Sequence, residues 1–423
     1  MAAVIEVAES PEETRRFIGT YFALQMLHLH FLSIETLRRE TKGNNDRLNV
    51  YRQILTRLRF QLRNLIATYI GALIQCFSGN TRTTGVAICN VGMIMDQDDL
   101  DVGVFVSPEI EKEKWNGVIA QISTEFMKYS TKMHFYLAEL VANQTFLTTV
   151  EDYKVYLDRD PSEYVLISEL LVTEYLYGDM KPVRHLEEVI IDKFYYDAEY
   201  RKMHEIYVRG LMGEVQRQTQ KKLDPQWVSP KNDALRLIHN SMNLLKTIYG
   251  IHEHGSRDTL DILMNRDPES HELYTDLQKA LSFFEMFFYV YQLMVAVDDR
   301  FDTKDPVTLE NLDIVAEVMG VSSLGPLRPA TRILTHYFEQ LDHLSSLGTQ
   351  VMEKVDNHLQ RITVFNDLLQ GKRPEGFAVK WTDSLIRNLF LAFKEFRSVR
   401  YWDDVLQTMA AEDGQRLIQL IES

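Results

Sequence analysis

Asp96-Gln97-Asp98-Asp99-Leu100-Asp101-Val102-Gly103-Val104-Phe105-Val106 runs from a cluster of carboxylates straight into an apolar, β-branched stretch. Alternate residues of a strand share a face, so Asp99 and Asp101 aim two carboxylates one way while Leu100 and Val102 face a core. Asp96 and Asp98 form a second pair at the same spacing. The residues alone leave open which pair counts. Two hard oxygen ligands side by side suit magnesium, which keeps several waters and takes substrate phosphates as further ligands. A solvated acidic turn ahead of a strand is the competing structural explanation.

Working outward, Gly85 to Gly92 is a second short strand, and Glu109 to Tyr129 reads as a helix. Lys132 to Leu140 reads as a further strand. This is the one α/β region in the chain, and helices flank it. Upstream, Ser10-Pro11-Glu12-Glu13 combines an N-cap, a Pro suited to the first helical position and a capping-box Glu. The pattern predicts a helix to about residue 40, broken at Lys42-Gly43-Asn44-Asn45-Asp46. A second helix follows from about Leu48 to Leu73. Beyond Thr148 the chain reads as almost wholly helical, with Asp160-Pro161 and Asp305-Pro306 as helix starts and Gly178 and Gly320 as stops. Ala280 to Val297 approaches membrane-span length but carries Glu285 and Gln292, which favours a buried core helix. Leu334, Leu341, Gly348, Val355 and Ile362 lie seven apart, with Tyr337, Leu344 and Val351 between them. That seam suits a helix of the same chain or a partner helix, and homo-oligomerisation through helices is the second option. The fold class is mainly α with one small α/β domain, a mixed sheet flanked by helical bundles. The segments are residues 1–47, an N-terminal helical part; 48–150, the α/β part; and 151–423, a helical bundle able to bind substrate.

The 423 residues carry a net charge of −15, which argues against nucleic acid and against anionic membrane as partners. A nucleotide remains accessible, because magnesium and a few Arg or Lys side chains neutralise its phosphates. Cys76 and Cys89 have neither zinc-type nor redox-motif spacing, which fits a reduced, cytoplasmic setting. The acidic first residues lack the basic flank and apolar run of a signal peptide. Arg38, Arg39, Lys42, Arg47, Arg52, Arg57, Arg59 and Arg63 form a basic stretch, best read as a helix face paired with nearby carboxylates.

Several motifs in order resemble the nucleotidyltransferases often found beside CBS or cyclic-nucleotide-binding modules, a group related to PII uridylyltransferase and glutamine-synthetase adenylyltransferase. Ser78-Gly79-Asn80-Thr81-Arg82 is similar to the turn that precedes their acidic strand. Asp99-Leu100-Asp101, or Asp96-Gln97-Asp98, stands for their Asp-x-Asp element. Pro230-Lys231 through Leu235-Arg236, continuing to Tyr249-Gly250-Ile251, resembles their Lys-x-x-x-Leu-Arg segment. The likeness spans roughly residues 50–345. It implies a nucleotidyltransferase-like mixed sheet and transfer of a nucleoside monophosphate from an NTP, ATP or UTP, to a protein or small-molecule acceptor. On that likeness Asp99 and Asp101, or Asp96 and Asp98, hold Mg2+, and Glu139 is a third carboxylate. Ser78, Gly79 and Arg82 approach the phosphates, with Lys231 and Arg236 lining the cleft from the helical side. Ser78-Gly79 inverts the usual order of the turn, and Gly79 lies further from Asp99 than in the family. These departures motivate the alternative, an inactive nucleotidyltransferase-fold regulator that senses a nucleotide or binds a protein.

Overall fold

The computed structural model describes residues 10–78, 83–92, 99–141, 145–196, 200–296 and 298–369, with Gln415 and Gln419 near the C-terminus. It is mainly helical with one small mixed sheet. Two long helices open it, α1 (Pro11–Thr41) and α2 (Arg47–Ser78). Ser10 caps α1 by accepting from the Glu13 N–H at 3.2 Å, with Pro11 in the first turn. The first strands are β1 (Val86–Asn90) and β2 (Asp99–Val106). Then come α3 (Lys112–Tyr129), β3 (Lys132–His134), α4 (Tyr136–Leu140) and β4 (Leu147–Thr148). The region closes with α5 (Val150–Arg159), α6 (Tyr164–Leu171) and β5 (Glu174–Gly178).

The sheet has the order β3-β2-β1-β5, with β4 pairing the far end of β2. β1 runs antiparallel to β2 and to β5, whereas β2 and β3 are parallel. A parallel pair needs a crossover, and α3 supplies it. The expected single strand over Lys132 to Leu140 is corrected: it ends at His134, and Tyr136–Leu140 turns into a short helix. Gly178 ends a strand rather than a helix, and its φ of 110° lets its Cα lie against the Val86 carbonyl. Asp160-Pro161 likewise forms a turn between helices, with α6 starting only at Tyr164.

The helical part begins at α7 (Lys181–Leu186), which passes through a π-helical turn, Glu187–Ile191, into α8 (Asp192–Tyr196). It continues with α9 (Arg201–Thr219), β6 (Trp227–Val228) and a second π-helical turn, Lys231–Leu235, that leads into α10 (Arg236–Ile248). The last elements are α11 (Ser256–Arg266), α12 (His271–Met294), β7 (Phe301–Asp302), α13 (Pro306–Val318) and α14 (Pro329–Leu369). Asp305 caps α13 as its Asp-Pro start predicts, accepting from the Thr308 N–H at 2.9 Å. Gly320, at φ 76°, follows its end.

Every residue of α12 from Ala280 to Gln292 is buried, so the apolar run near span length is the central core helix. Over its described side chains the heptad seam of α14 packs within the chain, and Ile362 lies beyond them. Tyr337, Leu341, Leu344, Val351 and Val355 are buried, and α14 packs on α9, α10, α12 and α13. By length and composition α1 alone among the described helices is able to cross a membrane. Here it buries Ile18, Phe22 and Leu37, leaving Leu24, Leu27 and Phe31 about 60% exposed on its outer face.

Two polar clusters, one buried and one half-buried, fasten these helices. Arg257 of α11 pairs with Glu285 of α12, both side chains less than a tenth exposed. At the junction of α11 and α12, Asp267 accepts from Tyr249 Oη and Tyr274 Oη at 2.6 Å each and from Lys354 Nζ at 2.7 Å. Burial alone would raise the Asp267 carboxyl. The hydrogen bonds from Lys354, Tyr249 and Tyr274 prevail and hold it down at about 2.

Glu285→Ala should destabilise the fold by ~3–5 kcal/mol in urea titration, because it leaves the Arg257 guanidinium buried without its counter-charge. The Asp267 network works with a defined pH sign. A depressed folded-state pKa stabilises above the unfolded value of roughly 4, and that stability is lost as pH falls toward 2. Asp267→Asn should therefore lower the melting temperature at neutral pH, with the gap to wild type closing in acid.

Candidate functional site

The parallel register of β2 and β3 sets Asp99 opposite Lys132, Leu100 opposite Met133 and Asp101 opposite His134. Leu100 and Val102 are buried, so the alternation read from the sequence does turn Asp101 away from the core. Its carboxylate lies 3.3 Å from His134 Nδ1. The other ring nitrogen, Nε2, lies 3.2 Å from Glu139 Oε2. His134 thus bridges the predicted strand carboxylate to the predicted third carboxylate. As a neutral ring it donates to one of them, and as an imidazolium to both. Glu139 reaches this place from the helix α4, since the chain turns at Phe135.

Gly92 closes one side of the same carboxylate. A Cβ there would come within 2.4 Å of Asp101 Oδ2, so only glycine permits the approach. From α6 comes Glu169, partly buried. Burial, followed by the charge of Asp101, pushes its carboxyl up to about 8. Tyr136 stands next to His134, ring centroids 5.6 Å apart. Its hydroxyl is raised first by burial and then by Glu169, Glu163 and Asp101, with Arg236 opposing them. Tyr136 therefore lies within electrostatic reach of both the acidic cluster and Arg236, at the head of α10.

Of the residues singled out in the sequence, Asp101 and Glu139 meet at His134, and Arg236 lies within electrostatic reach of Tyr136. Asp99 is the first residue of β2, and its side chain lies outside the described part of the structure. Lys231 has its ammonium 3.7 Å from Asp299 Oδ2. Ser78 is the last residue of α2. Gly79, Arg82, Asp96 and Asp98 lie outside the described residues. His134, Tyr136 and Glu169 were missed. Glu169 carried a faint signal, as the one acidic residue in the apolar helix Tyr164–Leu171. His134 carried none, because its role depends on strand register.

Whether magnesium fits rests on the donors. Asp99, Asp101 and Glu169 are hard oxygen groups, and the penalty that Asp101 places on ionising Glu169 is one that a divalent cation relieves. Among the described residues no three His, Cys, Asp or Glu side chains already converge as a preformed metal cage. Hard oxygen donors of this kind suit an ion completed by water and substrate oxygens. Neither a family model nor a curated protein matches the chain.

The raised Glu169 carboxyl gives a prediction of opposite sign to Asp267. The folded state holds this proton more tightly than the unfolded one, so stability present below roughly pH 4 declines as pH rises through about 8. Glu169→Gln should flatten that decline, leaving the variant more stable than wild type at pH 9 in thermal melts.

Proposed function

We propose that this protein is a magnesium-dependent nucleotidyltransferase that moves a nucleoside monophosphate from an NTP to a protein or small-molecule acceptor. The observation that carries the reading is Asp101 on β2, held between Gly92 and His134 in a strand–helix–strand unit, with Glu169 close enough to feel its charge. The resemblance of the surrounding motifs supports it independently. On this reading Asp99 and Asp101 hold the cation, with Glu169 as a further oxygen donor. Magnesium supplies charge neutralisation of the triphosphate and of the pyrophosphate leaving group.

The chain's own groups do the rest. His134, tied to Glu139, fixes the Asp101 carboxylate and offers a site for the proton that the acceptor gives up. Partial burial of Glu169 keeps it protonated until a cation arrives, which couples cation binding to proton release. Arg236, across Tyr136, adds positive charge on the helical side. One observation favours a second reading, a nucleotidyltransferase-fold regulator that binds without turnover: Ser78-Gly79 inverts the usual order of the turn and lies further from Asp99 than in the family it resembles.

Incubation with α-labelled ATP or UTP and magnesium should transfer label to the protein or to an added cell extract. The Asp99→Asn/Asp101→Asn double variant should lose at least about a hundredfold of that rate, the scale expected when charge stabilisation of the transition state is removed. Magnesium-dependent NTP binding without transfer in wild type would select the regulator. Absence of both would reject either reading.

A further inference from the structure

A cleft of about 580 Å3 opens between the end of α9, β6 and the start of α10, its walls including Arg217, Lys222, Trp227, Asn232, Arg236 and Arg300. Its charge runs against that of the chain. Five cations and two carboxylates line it, in a protein of net charge −15. The two carboxylates are already engaged. Asp233 accepts from the Ser229 N–H at 2.8 Å and from Lys221 Nζ at 2.7 Å, and Asp224 accepts from the Gln226 N–H at 3.0 Å. Arg217 is paired with Glu214. Among the described residues no carboxylate lies within ion-pair distance of Lys222, Arg236 or Arg300. Three uncompensated cations around one concavity create a local field that selects an anion.

Trp227 adds a second kind of contact. The residue is 40% exposed, and the Arg300 guanidinium lies 4.5 Å from the ring centroid. Stacking holds that guanidinium in place while leaving its in-plane N–H groups for oxygen acceptors. The indole also offers a flat apolar wall. The neutral side chains of Ser229 and Asn232, bonded to each other at 2.8 Å, complete the polar lining. The volume is that of a small-molecule site. A nucleic acid is disfavoured by the acidity of the rest of the surface.

We propose that this cleft binds a phosphate-bearing small molecule, its phosphate among Lys222, Arg236 and Arg300 and its body against Trp227. Guanidinium forks match phosphate oxygens bidentately, and a dianion answers more of the unpaired charge than a single carboxylate does. The site needs neither metal nor Asp101 and shares only Arg236 with the nucleotidyltransferase reading, so the two can fail separately. Phosphate could also arrive as part of an NTP held at the acidic cluster, and the test separates the two sources.

The test is calorimetry and tryptophan fluorescence on the full chain with ribose 5-phosphate, without magnesium or NTP. Saturable binding is expected, weakened about tenfold or more by Arg236→Ala and by Arg300→Ala, as for loss of a charge-assisted contact. It should also weaken with added salt and be unchanged in Asp101→Asn. Trp227→Phe should keep most of the affinity while losing the fluorescence response. No saturable binding of ribose 5-phosphate or of inorganic pyrophosphate would overturn the proposal. So would binding that requires magnesium and disappears in Asp101→Asn while surviving Arg300→Ala. Neither result depends on nucleotidyl transfer.

Discussion

The rest of the structure depends on α2 being packed by both parts of the molecule at once. Near its start Tyr51 donates to the Met319 carbonyl at 2.6 Å, and Arg52 holds Asp261 with both carboxylate oxygens within 2.9 Å. Further along, Arg63 reaches Glu174 at 2.7 Å and the Tyr175 carbonyl at 2.9 Å, at the β5 edge of the sheet. Tyr69 then stacks on Phe22 and meets Phe126, so α1, α2 and α3 share one aromatic contact. A helix of 32 residues extends close to 50 Å. Such a rod, fixed at both ends, holds the sheet against the helical bundle. The basic stretch seen in the sequence thus ties elements together through Arg52 and Arg63.

That arrangement explains why charge of opposite sign is kept apart in one acidic chain. Asp101 of β2 and Glu169 of α6 lie on the sheet side, where Gly92 closes on the Asp101 carboxylate. The cations without an ion-pair partner among the described residues lie where α9 ends and α10 begins. Tyr136 feels both groups, its hydroxyl raised by burial, Glu169, Glu163 and Asp101 and lowered by Arg236. Charges in such partly desolvated places act on one another more strongly than in water. Glu169 shows the effect, since a neighbouring carboxylate and burial act on it in the same direction.

Much of the fold was legible because it follows from local rules. Ser10-Pro11 and Asp305-Pro306 started helices as capping chemistry demands, and the apolar alternation of Leu100 to Val106 gave a strand. Errors fell where a local signal had more than one use. Gly178 has the positive φ expected of a helix stop, but it serves the end of β5. The stretch Lys132 to Leu140 has strand-like composition, yet the chain turns at Phe135, and packing of Leu137 and Ala138 selects a helix.

By itself, the sequence determined the class of the fold, the central burial of α12 and the strand that carries Asp101. Each of these depends on residue type and period within one segment. Only the tertiary structure decided that Asp101 meets His134, that Glu139 arrives through that histidine and that Glu169 comes in from α6. It also decided that Lys222, Arg236, Trp227 and Arg300 surround one cleft. Those facts depend on strand register and helix packing, which bring together residues tens of positions apart and which no single segment encodes. The Asp99-Leu100-Asp101 strand was visible from its own letters, whereas its surroundings existed only once the chain had folded.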